Sequence, residues 1–410
     1  MAVPKRSPTS ADSILGVLPS AVYEPRSVDE AVDAVRESAS GSKVLSFVGG
    51  GTDLGWGPPP TRLDAVLRTG NLQRVIDYAP ADQVVVVEAG ITLSELQKTL
   101  ANHGQQLALD PPLPERATVG GIVAANAFGP RRAGYGSVRD LLIGVSFVRA
   151  DGTLARGGGK VVKNVAGFDL PKLLTGSLGT LGLVVTATFR LHPLPEDSAT
   201  VLVSDLDGTG VRALVAKIRA AQLEPTAVVA LATHGGRFEA AVLFEGFRAG
   251  VREQCQRLVS LLHADHACEI SDEVSAQLFW DRHDAVRREG TLRAKITALP
   301  TAIERIGRDV LGPLLSPFEN AGFVWYATLG LGFLSGHPQD ADRVASEIRR
   351  ARAILAEGGG SLTLTAAPPE IRERVDVWAA PPQSLGLMKR VKERLDPERR
   401  FNPGRFVGGI

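Results

Sequence analysis

Two cysteines, Cys255 and Cys268, are all that the 410 residues contain. By themselves they cannot hold an iron–sulfur cluster or a structural zinc, which need more thiolate or imidazole ligands. An excess of one charge is also lacking: Lys plus Arg number 46 and Asp plus Glu 45, a formal net charge of +1. That balance gives nucleic acid or an acidic surface no handle, so neither is expected as a partner. No apolar run approaches a membrane span; runs such as 84–87 and 183–185 are strand-length. Residues 1–11 are polar, carry two prolines and lack the apolar core of a signal peptide. A soluble cytoplasmic protein is expected, reaching a membrane only through partners. What remains is ordinary for a globular chain, 44% hydrophobic and 22% charged, and long enough for two or three domains.

The first 20 residues read as a poorly ordered arm. Ser27 and Glu30 then form a capping box, with Val28, Ala31, Val32 and Val35 at helical spacing behind it. A strand over 44–48 runs straight into Gly49-Gly50-Gly51-Thr52. Another covers 84–88. Thr92 and Glu95 open a second helix, with Leu93, Leu96 and Leu100 on one face and Gly104 placed to end it. Residues 110–140 are rich in Gly, Pro and Ala, a composition suited to backbone wrapped round a ligand. Strands 143–149 and 153–156 flank Asp151-Gly152, a hairpin signal. The strand 183–191 closes this region.

Past Pro195 the patterning becomes that of an ordinary core. Helices are expected at 209–222 and 248–263, and strands at 226–233 and 238–245. Gly358-Gly359-Gly360 is read as a turn before a strand over 361–366. A last helix spans 384–396 and is stopped by Asn402-Pro403-Gly404. The expected class is α+β. The expected division is an arm at 1–20, a ligand-wrapping domain at 21–195, an α/β second domain at 196–370, and a C-terminal segment at 371–410 that returns to the first domain.

The glycines carry the functional signal. Gly49-Gly50-Gly51-Thr52-Asp53 follows a strand, and consecutive bare N–H groups there can cradle a phosphate or pyrophosphate. The Gly-x-Gly-x-x-Gly spacing of a Rossmann turn fails, since Leu54 stands where the third glycine belongs. Gly157-Gly158-Gly159-Lys160 is not a phosphate-binding loop of nucleotide triphosphatases either, because Val161 replaces the Ser or Thr. Two further segments follow. One is Thr118-Val119-Gly120-Gly121, running on to Asn126, Tyr135, Gly136 and Asp140. The other is 163–170 with Gly176-Ser177-Leu178-Gly179-Thr180-Leu181-Gly182. Three such segments separated by strands fit an extended cofactor better than a set of plain turns.

In that order, these motifs resemble the FAD-binding domain of the vanillyl-alcohol oxidase type. Val162-Lys163-Asn164-Val165-Ala166-Gly167-Phe168-Asp169 and Asp396-Pro397-Glu398-Arg399-Arg400-Phe401-Asn402-Pro403-Gly404-Arg405 are similar to hallmarks of the glycolate oxidase FAD-binding subunit, the E subunit. The resemblance implies a two-part FAD-binding domain at 21–195 with a cap domain at 196–370. It implies that Gly49, Gly50, Gly51, Thr52 and Asp53 wrap the FAD pyrophosphate. Thr118, Gly120 and Gly121 would contact the pyrophosphate and ribityl side, with Asn126 nearby. Tyr135 and Gly136 would close over the cofactor, and Gly182 and Val184 would present backbone near it. A structural polar role stays open for Asn126 and Tyr135.

The chain departs from that family in two places. Many members tether FAD through a His near the Gly-rich loop, but none occurs from Phe47 to Trp56; the nearest is His103. Non-covalent FAD is therefore expected. Catalytic relatives carry a His-rich metal site, yet Ser361–Ala366 holds no His. His263 and His266 could ligate a metal or merely end a helix; no metal is expected. Trp280, His283, Arg287 and Arg293 remain as substrate-facing candidates, since an Arg can clamp a carboxylate in bidentate fashion. Arg282, Arg287 and Arg288 equally suit a solvated helix face. Trp378 suits either a flavin neighbour or core.

The resemblance thus implies an FAD-binding subunit of a glycolate oxidase-like 2-hydroxy-acid dehydrogenase. It would work with a second flavin- and metal-containing subunit and an iron–sulfur subunit. A self-contained FAD oxidoreductase for another alcohol or hydroxy acid, and a redox-inactive assembly subunit, are the alternatives.

Overall fold

Local sequence signals become elements for identifiable reasons. In this computed structural model, which describes residues 3–160, 167–233, 236–263 and 265–410, the Ser27 side chain caps the helix Val28–Ser40 by accepting the Glu30 N–H at 3.2 Å. The reciprocal half of the expected box is displaced by one residue. The Glu30 carboxylate accepts the N–H of Arg26, at 2.7 Å, instead of that of Ser27. The buried face of this helix, Ala31, Val32, Ala34 and Val35, packs against Tyr23, Leu45 and Leu67. Each such Val removed from water is worth about 1.5–3 kcal/mol.

Chain contacts divide the molecule into two units. The first comprises Met1–Gly129, Gly136–Leu194 and Pro381–Ile410; the second comprises Pro130–Tyr135 and Pro195–Ala380.

Among the described residues the first unit holds two larger sheets and a two-stranded one, Gln105–Gln106 with His192–Pro193. Of the larger two, one runs in the order Lys5–Arg6, Ala21–Tyr23, Ala65–Arg68, Leu45–Val48, with its last three strands parallel. The other is antiparallel, in the order Val75–Ala79, Val84–Glu88, Leu183–Arg190, Leu142–Val148, Leu154–Gly158. Asp151-Gly152 turns the last hairpin, with Gly152 at φ +78° and Arg149 N–H on Thr153 O at 3.0 Å. Thr92 caps the helix Leu93–Ala101.

The loose arm expected at 1–20 is not found over the described part. Lys5–Arg6 is a strand on Ala21–Tyr23, and Asp12 is 2% exposed. Its carboxylate is held well below the usual range by Arg6, against the opposing effect of burial, with help from Thr9 and Arg68. Composition hides this, because a polar segment anchored by ion pairs has no apolar periodicity to read.

The second unit is one antiparallel sheet of eight strands. Its order is Cys268–Ile270, Asp197–Leu206, Phe238–Gly246, Ala227–Ala232, Phe318–Tyr326, Leu331–Pro338, Leu292–Thr297, Ser361–Ala366. Helices Gly208–Ala220, Arg248–Leu262 and Ala341–Glu357 share one core with Val228, Phe244, Leu292, Trp325 and Leu362. Alternation along a strand turns Tyr326 to the opposite face from Trp325. There the helix Glu273–Arg288 lies against it, His283 touching Tyr326 and Val286 meeting Gly322.

Candidate functional site

The strand Leu45–Val48 delivers the chain into a cleft of about 880 Å³, open mouth included, within the first unit. Its lining draws on four separate stretches, 47–56, 118–125, 178–184 and the C-terminal pair Asn402 and Arg405, together with Ile14 and Thr69. Of the residues singled out in the sequence, Gly49, Gly50, Gly51, Thr52, Asp53, Thr118, Gly120, Gly121, Gly182 and Val184 line it. The motif 162–166 lies outside the described residues.

The glycines serve a packing purpose beside the one first expected. A Cβ on Gly50 would sit 1.7 Å from Arg116 O, and one on Gly49 would sit 2.0 Å from Thr118 Oγ1. The bare backbone therefore lets the first loop close onto the second segment, not only onto a ligand. The N–H groups divide accordingly. Those of Val119, Gly120 and Gly121 are taken by Ile91 O at 2.9 Å, Ala89 O at 2.7 Å and Thr118 Oγ1 at 3.3 Å. Those of Gly50, Gly51 and Thr52 donate to no other described residue. The first loop thus leaves its backbone donors uncommitted, while Gly120 and Gly121 supply wall.

The loop's one carboxylate is engaged locally: Asp53 Oδ1 accepts from Trp56 Nε1 at 3.2 Å. Asn126 ends the helix Val119–Ala125 at φ +50°, and its buried Oδ1 has no hydrogen-bond partner among the described residues. It follows directly on the lining residues Ala124 and Ala125. A buried acceptor left without a donor is costly, and a ligand hydroxyl would satisfy it. The uncommitted loop donors and this acceptor both fit a dinucleotide such as FAD. Tyr135 and Gly136 stand outside the lining. Tyr135 belongs to the second unit, and Gly136 makes a turn at φ +92° before Ser137, whose N–H and hydroxyl both donate to Asp140.

The C-terminal stretch holds the cleft's shape from behind. Arg405 donates to Leu54 O at 2.7 Å and Pro58 O at 2.9 Å, fixing the far end of the first loop. Asn402 Nδ2 reaches Leu178 O at 3.0 Å. Below them Lys392, buried on the helix Leu385–Leu395, donates to Thr180 O at 2.7 Å, Asp396 Oδ2 at 2.7 Å and Phe401 O at 2.9 Å. Burial lowers its ammonium pKa, and Asp396 opposes the shift. Neither Asn402 nor Arg405 was marked as a site residue from sequence. The signal was present in the Asn402-Pro403-Gly404-Arg405 motif, read only as a helix stop and a family likeness.

A second polar cluster lies wholly in the second unit. The solvated-face reading fails for Arg287. Its guanidinium stacks 3.7 Å over the Phe333 ring and donates to the Tyr326 hydroxyl. That hydroxyl also meets His283 Nε2 at 2.9 Å, and His283 Nδ1 meets Asp284 Oδ1 at 2.9 Å. Burial tends to raise the Asp284 carboxyl, but the bond to His283 and the charges of Arg288 and Arg287 leave it lowered. Trp280 packs edge-on to His283 and donates to Thr200 Oγ1 at 3.3 Å. Lys295, opposite Phe333 in the ladder, is pushed down to about 8 by burial and by the charges of Arg132 and Arg287. Tyr326 and Lys295 were missed because they sit on distant strands with no local motif.

Arg293 donates to Arg288 O at 2.7 Å, and Trp378 packs against the core of its own unit. His263 caps the helix Arg248–Leu262. Among the described residues, no three His, Cys, Asp or Glu side chains gather as a metal set, and no helix is long and apolar enough to cross a membrane.

Comparison with known proteins agrees with the cleft. The FAD binding domain family matches residues 19–158. The chain is 27% identical to glycolate oxidase subunit GlcD of Bacillus subtilis, covering 95% of this chain and 89% of that protein. It is 26% identical to glycolate oxidase subunit GlcE of Escherichia coli, covering 92% and 97%. The structure of p-cresol methylhydroxylase with substrate bound superposes with a TM-score of 0.75 at 15% identity, over 96% of this chain and 90% of that one. The chain is an FAD-dependent oxidoreductase of the p-cresol methylhydroxylase-type FAD-binding fold. Within that class it resembles glycolate oxidase subunits over nearly its whole length.

Proposed function

We propose that the chain is the FAD-binding subunit of a glycolate oxidase-like 2-hydroxy-acid dehydrogenase. The observation that carries the reading is the cleft whose first loop leaves the Gly50, Gly51 and Thr52 N–H groups uncommitted. These donors would hold the FAD pyrophosphate, as backbone N–H clusters do for phosphate generally, and Asn126 would accept from a cofactor hydroxyl. Among the described residues the cleft lining holds no His or Cys to form a tether, which supports a non-covalently held cofactor.

When bound, FAD supplies a two-electron acceptor. The chain's own side chains would do the rest. Arg287, fixed over Phe333, binds the substrate carboxylate, and Lys295 adds a second cation. Tyr326 Oη, His283 Nε2, His283 Nδ1 and Asp284 Oδ1 form a bonded line along which the substrate's hydroxyl proton leaves. Both relatives are named as subunits, and two cysteines cannot ligate a cluster. Electrons would therefore pass on through an iron–sulfur partner, beside a second flavin- and metal-containing subunit.

Anaerobic addition of glycolate or D-lactate to the FAD-loaded chain, with and without co-expressed partners, tests this. Flavin bleaching only with partners present supports the subunit reading. Bleaching by the chain alone points to a self-contained oxidoreductase, favoured by the proton line it carries. No bleaching in either case leaves the assembly role.

A further inference from the structure

The N-terminal segment is tied down more firmly than a chain end requires, and it reaches the cleft. Asp12 accepts five hydrogen bonds: Arg6 Nη1 at 2.7 Å and Nη2 at 3.0 Å, Arg68 Nε at 2.8 Å, Thr9 N at 2.8 Å and Thr9 Oγ1 at 3.0 Å. Arg68 Nη2 adds Ala11 O at 2.9 Å. Arg68 ends the strand Ala65–Arg68, which pairs with the strand that feeds the first glycine loop. The segment is thus pinned from both sides of a short turn, by its own Arg6 and by the sheet.

Directly after this anchor the chain makes a tight turn. Ile14 and Val17 exchange backbone hydrogen bonds across Leu15, at φ +49°, and Gly16, at φ +88°. The turn presents Ile14 inward. Ile14 is 2% exposed, packs with Val48, Leu63 and Val66, and lines the cleft. Leu54, the last apolar residue of the first loop, joins the same small cluster. One side of that cluster is therefore cleft wall, and the other braces the loop that carries the uncommitted N–H groups.

We propose that residues 3–17 form a cofactor-retaining strap, in which Asp12 is a positioning residue that acts through Ile14 and Leu54 to hold the FAD loop in its binding shape. The inference rests on the FAD assignment of the cleft. A binding contribution through the strap must be reciprocal: if the closed strap favours FAD, bound FAD favours the closed strap by the same factor. The Arg6–Ser7 bond gives a direct report on strap opening, because Arg6 must leave Asp12 before a protease can seat it.

The test uses the full chain with FAD. Flavin fluorescence gives Kd and release rate for wild type, Asp12→Asn and Ile14→Ala, and tryptic cleavage after Arg6 is timed with and without FAD. The expected result is a Kd raised about tenfold or more in both variants, with faster release. Cleavage of the wild type should slow with FAD by a comparable factor, while the apo Ile14→Ala protein, destabilised by the lost packing, still unfolds in one cooperative transition. If Asp12→Asn does not fold, Ile14→Ala decides. A Kd within about twofold of wild type in Ile14→Ala, or equal cleavage rates with and without FAD, overturns the strap. Wild type that takes up no FAD overturns the cofactor reading instead.

Discussion

The two units use different parts of the polypeptide for their chemistry. In the first, the groups offered to a ligand are main-chain N–H groups on a loop, which Arg405 in the lining and Lys392 and Asp12 behind it hold in shape. In the second, the groups offered are side chains themselves, Arg287, Lys295, Tyr326 and His283, gathered from one helix and two strands of a regular sheet. A main-chain site demands glycine at fixed positions and so tolerates almost no substitution. A side-chain site tolerates backbone changes but depends on each head group.

That contrast predicts the largest effect at Gly50. Gly50→Ala places a methyl where Arg116 O stands, at 1.7 Å, so loop and second segment must part. FAD affinity should fall by about 100-fold or more in a flavin-fluorescence titration. Unchanged affinity would break the comparison at its root.

Next comes Lys392→Ala. It leaves Asp396 buried without its cation and frees Thr180 O and Phe401 O. Removing one partner of a buried pair costs about 3–5 kcal/mol. Chemical denaturation should register that loss.

Arg287→Ala tests the other side. Loss of a charge-assisted carboxylate clamp is worth about 1.5–3 kcal/mol, so KM for a 2-hydroxy acid should rise by about tenfold to 100-fold, with FAD binding unaltered. Arg287→Lys should restore little, because the guanidinium also stacks on Phe333.

The smallest effect is a pH dependence. Lys295 is lowered to about 8 in the folded chain, so it binds its proton less tightly there than when unfolded. Its charge costs stability below pH 8, and the cost is relieved as pH rises from about 8 towards the ordinary value of about 10.4. Substrate binding runs the other way: KM should climb by less than about tenfold as pH passes 8. Lys295→Met should flatten that step in a pH–rate profile.

The same contrast explains what could be read before the fold was known. Glycines at 49–51, 120–121 and 182 stand out because bare backbone leaves a compositional mark, and the strand–loop order around them was legible from alternation and caps. Their immediate reason was not legible, since Gly50 is small for Arg116 O, a contact across 66 positions of sequence. Asp12 and Arg68 gave no sign of meeting, because an ion pair has no periodicity. Arg287 looked solvated because its neighbours Arg282 and Arg288 are, and only the sheet brings Phe333 and Tyr326 beneath it. Tyr135, set beside the glycines in sequence, went to the other unit with the short excursion Pro130–Tyr135.

Everything above turns on FAD in the cleft of the first unit, held without a covalent bond. The most direct measurement is to titrate the purified chain with FAD, follow flavin absorption and fluorescence to saturation, and then precipitate with acid. Uptake of about one FAD per chain, released into the supernatant and lost in Gly50→Ala, is the result predicted here. No uptake, or flavin that stays in the pellet, would contradict it.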